Sequence, residues 1–263
     1  MSNILSLDGR VGLVTGAGQG VGRQVALHFA EHNAKAVIVN DYLLDRAKSV
    51  AKEINDSGGT AVAVQGDVTD LDQMRQIAAE ATGQFGSVDI LVNNAGNAGA
   101  NPDEKARDPF YETGPEAWNS FIGVNFYGVI NATSAVLPGM IDRKHGRVIT
   151  IISEASRYGD PGLEVYAGAK AGAAGFTRAV ARGMGRHGIT ANSVAIAATF
   201  TPAIEDRLKQ DPERTKKMMS KYVIRRPGRP TDVANVVLML ASDSSEYITG
   251  QTYPVNGGFT FNL

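Results

Sequence analysis

Of the eight tyrosines in the chain, Tyr166 alone has a lysine four residues on, in Tyr166-Ala167-Gly168-Ala169-Lys170. On a helix, positions i and i+4 share a face. An ammonium beside a phenol favours the phenolate and lowers its pKa from about 10. Such a tyrosine can donate a proton to a carbonyl oxygen, or take one from an alcohol, near neutral pH. The surrounding Ala167, Gly168, Ala169, Ala171, Gly172, Ala173, Ala174 and Gly175 are small enough for close contact with another helix or a cofactor. Ser153 ends an apolar run, 147–152, thirteen residues before Tyr166. A hydroxyl at the carboxyl end of a strand can bind a substrate oxygen and stabilise developing charge there, or simply cap a turn. Asn125 interrupts an otherwise apolar helical run, 121–130. It could hold a water or satisfy a neighbouring carbonyl.

A second group of residues suits a dinucleotide. After the first apolar run comes Thr15-Gly16-Ala17-Gly18-Gln19-Gly20-Val21-Gly22. The glycine spacing is G-x-x-x-G-x-G, not G-x-G-x-x-G, but the physics is shared. A tight turn feeds a helix N-terminus whose free N–H groups and dipole suit a pyrophosphate. Asp41 ends the second run, 19 residues after Gly22, where a carboxylate can accept from both ribose hydroxyls and repel a 2′-phosphate. Gln19 is neutral where a cation would help hold that phosphate. This favours NAD over NADP, although Arg23 and Arg46 lie nearby in sequence. Asp67 follows the third run and could bind an adenine amino group or cap the next helix. Asn94-Ala95-Gly96 ends the fourth run, where small residues let backbone lie against a flat ring or form an Asx turn.

Positioning these residues is the task of alternating elements. Strand-like runs fall at 11–15, 36–40, 60–65, 88–92, 147–152, 189–196 and 251–255, and helical periodicity at 21–33, 43–57, 71–85, 115–137, 165–185 and 231–241. Short continuous apolar strands separated by helices predict an α/β chain. Its expected form is a single-domain, doubly wound parallel sheet of Rossmann type, with about seven strands and helices on both faces. Residues 1–263 read as one catalytic domain. Two stretches, 97–113 and 199–229, leave the sheet at carboxyl ends of strands and are expected to form a substrate loop and a lid.

Composition narrows the classes further. Hydrophobic residues make up 43% and charged residues 20%, which excludes wholesale disorder. With 26 basic and 27 acidic residues the net charge is −1, so no nucleic-acid partner is expected. The absence of cysteine removes thiolate nucleophiles, disulfides and Cys-ligated metals, and no metal site is expected. No basic leader and no apolar run approaching the ~18 residues of a membrane span are read, so no membrane is expected and the cytoplasm is the expected location. Residues 205–229 carry nine basic against four acidic side chains, a local balance of +5. Such a lid could attract a CoA phosphate or an acidic carrier protein, or be a solvated helical face.

Taken together, Thr15-Gly16-Ala17-x-x-Gly20-x-Gly22, Asn94-Ala95-Gly96, Asn125, Ser153 and Tyr166-x-x-x-Lys170 resemble the short-chain dehydrogenase/reductase family over almost the whole chain. The resemblance implies hydride transfer between a substrate carbon and nicotinamide, with Tyr166 as general acid/base. Lys170 would lower its pKa and bind ribose, Ser153 would polarise the substrate oxygen, and Asn125 would hold a relay water. The cofactor residues it implies are Gly16, Gly18, Gln19, Gly20, Val21, Asp41, Tyr42, Asp67, Val68, Asn94, Ala95, Gly96, Tyr166, Lys170, Thr199 and Thr201, and the substrate residues Ser153 and Tyr166. The C-terminal Ile248-Thr249-Gly250-Gln251 and Val255-Asn256-Gly257-Gly258 are similar to those of homotetrameric members. Ile196-Ala197 stands where the family has Pro-Gly; neither fixes φ as Pro does or tolerates φ > 0 as Gly does. 3-Oxoacyl-carrier-protein reductases and hydroxyacyl-CoA dehydrogenases are the nearest substrate classes, with hydroxysteroids, polyols and cyclic alcohols as alternatives. A non-catalytic redox sensor is a further reading, opposed by the complete Asn/Ser/Tyr/Lys set. A sugar-nucleotide epimerase or dehydratase would need a larger substrate domain.

Overall fold

The structure is a computed structural model that describes residues 3–97, 104–106, 108–200 and 212–261. Seven strands form one sheet in the order β3-β2-β1-β4-β5-β6-β7, and every adjacent pair is parallel. They are β1 (Val11–Val14), β2 (Ala36–Asp41), β3 (Ala61–Gln65), β4 (Ile90–Asn93), β5 (Gly146–Ser153), β6 (Ile189–Ile196) and β7 (Thr252–Val255). Among the described residues the helices are α1 (Gly20–Glu31), α2 (Leu44–Asp56), α3 (Leu71–Phe85), α4 (Pro115–Ile122), α5 (Gly128–Arg143), α6 (Ala155–Tyr158), α7 (Glu164–Met184), α8 (Pro212–Met219) and α9 (Pro230–Ala241).

Successive strand side chains point to opposite faces, and the core divides accordingly. Val14, Val37, Val39, Ile90 and Val92 pack with Val25, Phe29, Ile54, Val237 and Leu238 of α1, α2 and α9. Leu13, Ile38, Leu91 and Val148 pack with Met74, Ile77, Val136, Met140 and Val180 of α3, α5 and α7. Both faces of the central strands are therefore covered, which is why they read as unbroken apolar runs. The chain winds from β1 outward to β3, returns to β4 beside β1, and then winds the other way. The carboxyl ends of β1 and β4 consequently diverge into a crevice.

The helix expected over 115–137 extends to Arg143 and is interrupted by a π-helical turn, Gly123–Tyr127. By length and composition the run Pro115–Arg143 is apolar enough to cross a bilayer, unlike the sequence expectation. In the fold its inward residues Val129, Ala132, Val136 and Met140 are buried against the sheet and its neighbouring helices. The stretch 97–113 is described in part and contains a short turn, Phe110–Glu112. Of 199–229, residues 201–211 lie outside the described residues. Its described part contains α8 and is fastened at its base, where Phe200 N–H donates to Gly228 O (2.7 Å) and Gly228 N–H to Ala198 O (2.9 Å).

Candidate active site

The glycine turn lies where the crevice opens. Gly16 and Gly20 adopt left-handed φ of +62° and +56°, a conformation glycine tolerates without a Cβ clash. A Cβ at Gly16 would also fall 2.9 Å from the Ala95 backbone. Asn94 Nδ2 donates to Thr15 O (2.9 Å) and Gly16 O (3.0 Å), and Thr15 Oγ1 accepts from the N–H groups of Asn94 and Ala95 (both 3.1 Å). The turn and the end of β4 are thus laced into one unit. Gln19 is the exposed N-cap of α1, its side chain makes no capping bond, and the first turn carries no acid. The helix N–H groups remain available to an anion.

Asp41 is buried at the tip of β2. Its Oδ2 accepts from Gly18 N–H (2.9 Å) and its Oδ1 from Leu43 N–H (3.0 Å). Asp41 therefore sits against the turn, not in a solvated loop. Tyr42 beside it is partly exposed, and its carbonyl accepts from Gln65 Nε2 (3.1 Å). Asp67 does not cap α3. It closes a turn by accepting from Thr69 N–H (2.9 Å) and Thr69 Oγ1 (2.8 Å), and Asp70 is the cap. Val21 and Val68 are buried in the two core clusters. Val68 packs against Gly128 and gives its carbonyl to Asn131 Nδ2 (2.9 Å), so its side chain is core and does not face the crevice. Thr199 is buried, with Oγ1 donating to Ala197 O (3.0 Å); Thr201 lies outside the described residues. Ala197 has no left-handed φ. The replacement of Pro-Gly by Ile196-Ala197 is accordingly accommodated without backbone strain.

Four elements bring the polar side chains together. Ser153 is the last residue of β5, and its Oγ accepts from Ala155 N–H (3.2 Å). Tyr166 stands in the first turn of α7 with its hydroxyl hydrogen-bonded to Ser153, and its ring meets Phe121 of α4 edge-on at 6.1 Å. One turn further, Lys170 is only 3% exposed, and its Nζ donates to Ile151 O (2.8 Å). Small residues on α7 permit this approach, since a Cβ at Gly172 would lie 3.3 Å from the Phe126 ring. Of the small-residue stretch, Ala169, Gly172, Ala173 and Ala174 form a packing surface, while Gly168 and Ala171 are exposed.

Asn125 occupies the centre of the π-helical turn and is fully buried. Its Nδ2 donates to Asn97 O (2.6 Å) and Phe121 O (2.9 Å). Its Oδ1 is buried with no protein partner, among the described residues. A Cβ at Gly96 would lie 3.1 Å from that oxygen and 3.2 Å from Lys170 Nζ, so both atoms flank Gly96. The wide turn delivers a polar amide into this space, a recurrent use of π-bulges. Asn97, next to Gly96, holds a left-handed φ of +77°, uncommon backbone for a non-glycine residue and concentrated at functional sites. Nothing in the local sequence marks Asn97 or the π-helical turn; tertiary contacts create both.

Electrostatics depart from the sequence expectation. Burial depresses the Lys170 ammonium from 10.5 to about 8, so it stays mostly charged at neutral pH. Burial pushes the Tyr166 phenol up, and the hydrogen bond from Ser153 pulls it partly back. The protein alone therefore does not hold this phenol below its ordinary value. Burial disfavours the phenolate, and the expected lowering by Lys170 does not enter, its ammonium being directed at the Ile151 carbonyl.

Beside Tyr166 lies a narrow cleft walled by Phe110, Thr113, Trp118, Phe121, Leu163 and Val165. Trp118 Nε1 donates to Thr113 Oγ1 (2.9 Å), fixing the indole. The described part of 97–113 thus borders the tyrosine, as a substrate loop would. The described part of 199–229 contributes nothing to this cleft.

A nicotinamide dinucleotide fits these residues. The backbone cradle admits no Cβ at Gly16, a free helix N-terminus faces the crevice, and an unpartnered buried amide oxygen stands beside the ammonium.

The comparisons agree with the geometry. The family model described as enoyl-(acyl carrier protein) reductase matches residues 16–260. The 3-oxoacyl-[acyl-carrier-protein] reductase FabG of Staphylococcus aureus is 36% identical over 249 residues, covering 94% of this chain and 96% of that protein. A gluconate 5-dehydrogenase from Burkholderia cenocepacia, in complex with NADP and tartrate, superposes with a TM-score of 0.89 at 32% identity over 99% of this chain and 98% of that one. A 7α-hydroxysteroid dehydrogenase complexed with NADH and 7-oxo glycochenodeoxycholic acid gives 0.87 at 34% identity over 98% of both chains. With its sheet order, glycine turn and serine–tyrosine–lysine cluster, the chain belongs to the short-chain dehydrogenase/reductase family of oxidoreductases acting on CH–OH groups.

Proposed function

We propose that this protein is an NAD(H)-dependent reductase of 3-oxoacyl thioesters, interconverting a ketone and a secondary alcohol on an acyl-CoA or acyl-carrier-protein substrate. The observation that carries the reading is the convergence of Tyr166, Ser153, Lys170 and Asn125 on one end of the crevice. Bound there, the reduced nicotinamide supplies the hydride that the carbonyl carbon accepts. Tyr166 donates its proton to the carbonyl oxygen, and Ser153 donates a hydrogen bond to that oxygen as negative charge grows. The positive charge of Lys170 favours proton loss from Tyr166 by stabilising the phenolate, the lysine then replaces that proton, and a water held by Asn125 Oδ1 returns a proton to the lysine. In the alcohol-oxidising direction each proton moves the opposite way.

The turn Gly16–Val21 and Asn94–Gly96 would hold the dinucleotide, with Lys170 reaching the nicotinamide ribose, Asp67 the adenine, and Tyr42 and Thr199 at the flanks. Support for NAD comes from Asp41, whose carboxylate stands against the turn and would repel a 2′-phosphate. The NADP and NADH complexes of relatives show that the family uses both. Support for a thioester comes from the FabG relative and from Lys216, Lys217 and Lys221, all exposed on α8 and just beyond it. One of the cations counted there is neutralised, since Arg226 forms a paired hydrogen bond with Asp232 (2.7 and 3.1 Å). The reading takes residues 1–263 as one catalytic domain of a cytoplasmic homotetramer.

The test is oxidation of NADH with acetoacetyl-CoA, alongside steroid, polyol-derived and cyclic ketones. The thioester should give the highest kcat/KM. Reversing Lys216, Lys217 and Lys221 to Glu should raise its KM at low salt and less so at high salt. An unchanged KM would remove the lid from the argument, and a preference for a steroid or cyclic ketone would replace the thioester.

A further inference from the structure

Directly after Ser153, Glu154 is 1% exposed, a buried carboxylate that the chemistry above leaves unused. Its Oε1 pairs with Arg157 Nη1 (2.8 Å), and its Oε2 accepts from Thr260 Oγ1 (2.5 Å), 106 residues away in sequence. Thr260 is held in turn, because Asn256 Nδ2 donates to its Oγ1 (3.2 Å) and to its carbonyl (2.9 Å). Asn256 Oδ1 accepts from Gly258 N–H (2.9 Å). The C-terminal segment 256–260 is thereby folded into a compact knot, and Glu154, between β5 and α6, is its anchor.

That knot touches both α6 and the segment that follows α8. Phe259 packs between Tyr158 of α6 and Tyr222, each with ring centroids 5.0 Å away. Tyr222 accepts from Ala198 N–H through its hydroxyl (3.3 Å), and Ile224 N–H donates to Gly257 O (2.8 Å). The Ser153–Glu154 backbone is itself tied down. Glu154 N–H donates to Ile196 O (2.9 Å), and its carbonyl accepts from Arg157 and Tyr158 N–H (2.9 and 2.8 Å). The Glu154 side chain spans the space between this tied strand end and the C-terminal segment.

Burying a carboxylate is costly, and a well-packed apolar residue commonly matches or exceeds a buried ion pair in stability. Stability alone does not account for a glutamate here. We propose that Glu154 is a positioning residue: by bonding Thr260 and Arg157 it fixes Ser153 relative to the Tyr166 hydroxyl and couples the C-terminal segment to the reacting oxygen. The proposal rests on the reductase reading above. It differs from that reading in acting through Ser153 without contacting substrate.

The experiment compares Glu154→Gln, Thr260→Val, Thr260→Ser and the double variant Glu154→Gln/Thr260→Val in the full-length protein. It measures kcat and KM for acetoacetyl-CoA, NADH affinity by fluorescence titration, and melting temperature. A serine hydroxyl used mainly in the transition state lowers kcat, not KM, when displaced. Glu154→Gln and Thr260→Val should each lower kcat by about tenfold, against the 10²-fold or more for outright loss of such a donor. KM and NADH affinity should stay within about twofold, Thr260→Ser should keep wild-type kcat, and the double variant should lose no more than either single one. A kcat within twofold of wild type in both single variants would overturn the proposal. So would a parallel decline of kcat, NADH affinity and melting temperature, which marks a general structural role. A wild type inactive on every ketone would overturn the reductase reading and this proposal with it.

Discussion

Lys170 offers the sharpest quantitative test of the electrostatics. Its ammonium is buried with one carbonyl partner, and burial lowers its pKa from 10.5 to about 8. A group whose folded pKa lies below its unfolded value binds fewer protons in the native state within the window between the two. Stability therefore rises with pH across 8 to 10.5 as the cost of the buried charge is relieved. The whole shift corresponds to about 3 kcal/mol. Between pH 7 and pH 9.5 about 2 kcal/mol of it should be recovered. Lys170→Met keeps the volume of the side chain and removes the titration. Urea unfolding of the cofactor-free wild type and variant at both pH values isolates the effect, because every other group titrates equally in the two proteins. Relative to the variant, the wild type should gain about 2 kcal/mol on going to pH 9.5. Parallel pH dependences, with a constant difference between the proteins, would refute the claim that this lysine is buried as a strained charge.

Two further outcomes follow from named contacts. Asp41→Ala should narrow the preference for NAD over NADP, measured as the ratio of kcat/KM values, because the carboxylate that repels a 2′-phosphate is removed and Arg46 lies beside Gly18; a wild type that already prefers NADP would contradict the role given to Asp41. His145 is held below its usual 6.5 by burial and by Arg147 and Arg10. The unfolded chain takes up that proton first, so stability present above pH 6.5 is lost as the pH falls below it. In His145→Gln, unfolding midpoints between pH 5 and 7 should fall less steeply than in wild type.

Much of this architecture is legible in the sequence because the physics that writes it is local. Val11–Val14 and Ile90–Asn93 are unbroken apolar runs, since central parallel strands are covered on both faces. Gly16 and Gly20 mark the turn because the backbone there is left-handed. The candidate site is legible because i and i+4 spacing joins Tyr166 to Lys170 and a strand end presents Ser153.

What escaped depends on distant neighbours. The π-helical turn that aims Asn125 and the left-handed φ of Asn97 have no signature in residue type. Asp70 rather than Asp67 caps α3, a choice that either acid satisfies on paper. The direction of the Tyr166 shift is opposite to the expectation because burial, invisible in spacing, raises it while only the hydrogen bond from Ser153 lowers it. The apolar length of Pro115–Arg143 is hidden by interior glycines and asparagines, which the helical run absorbs across its π-helical turn. Ile196-Ala197 looked like a defect only while the backbone at Ala197 was assumed to need a glycine conformation.

The central claim is that the Tyr166 hydroxyl moves the proton. Tyr166→Phe removes that one atom and keeps the ring that meets Phe121 edge-on. With NADH and the ketone the wild type reduces fastest, kcat should fall by about 10²- to 10⁴-fold, while NADH affinity stays within about threefold. Turnover retained in Tyr166→Phe would contradict the account at its root.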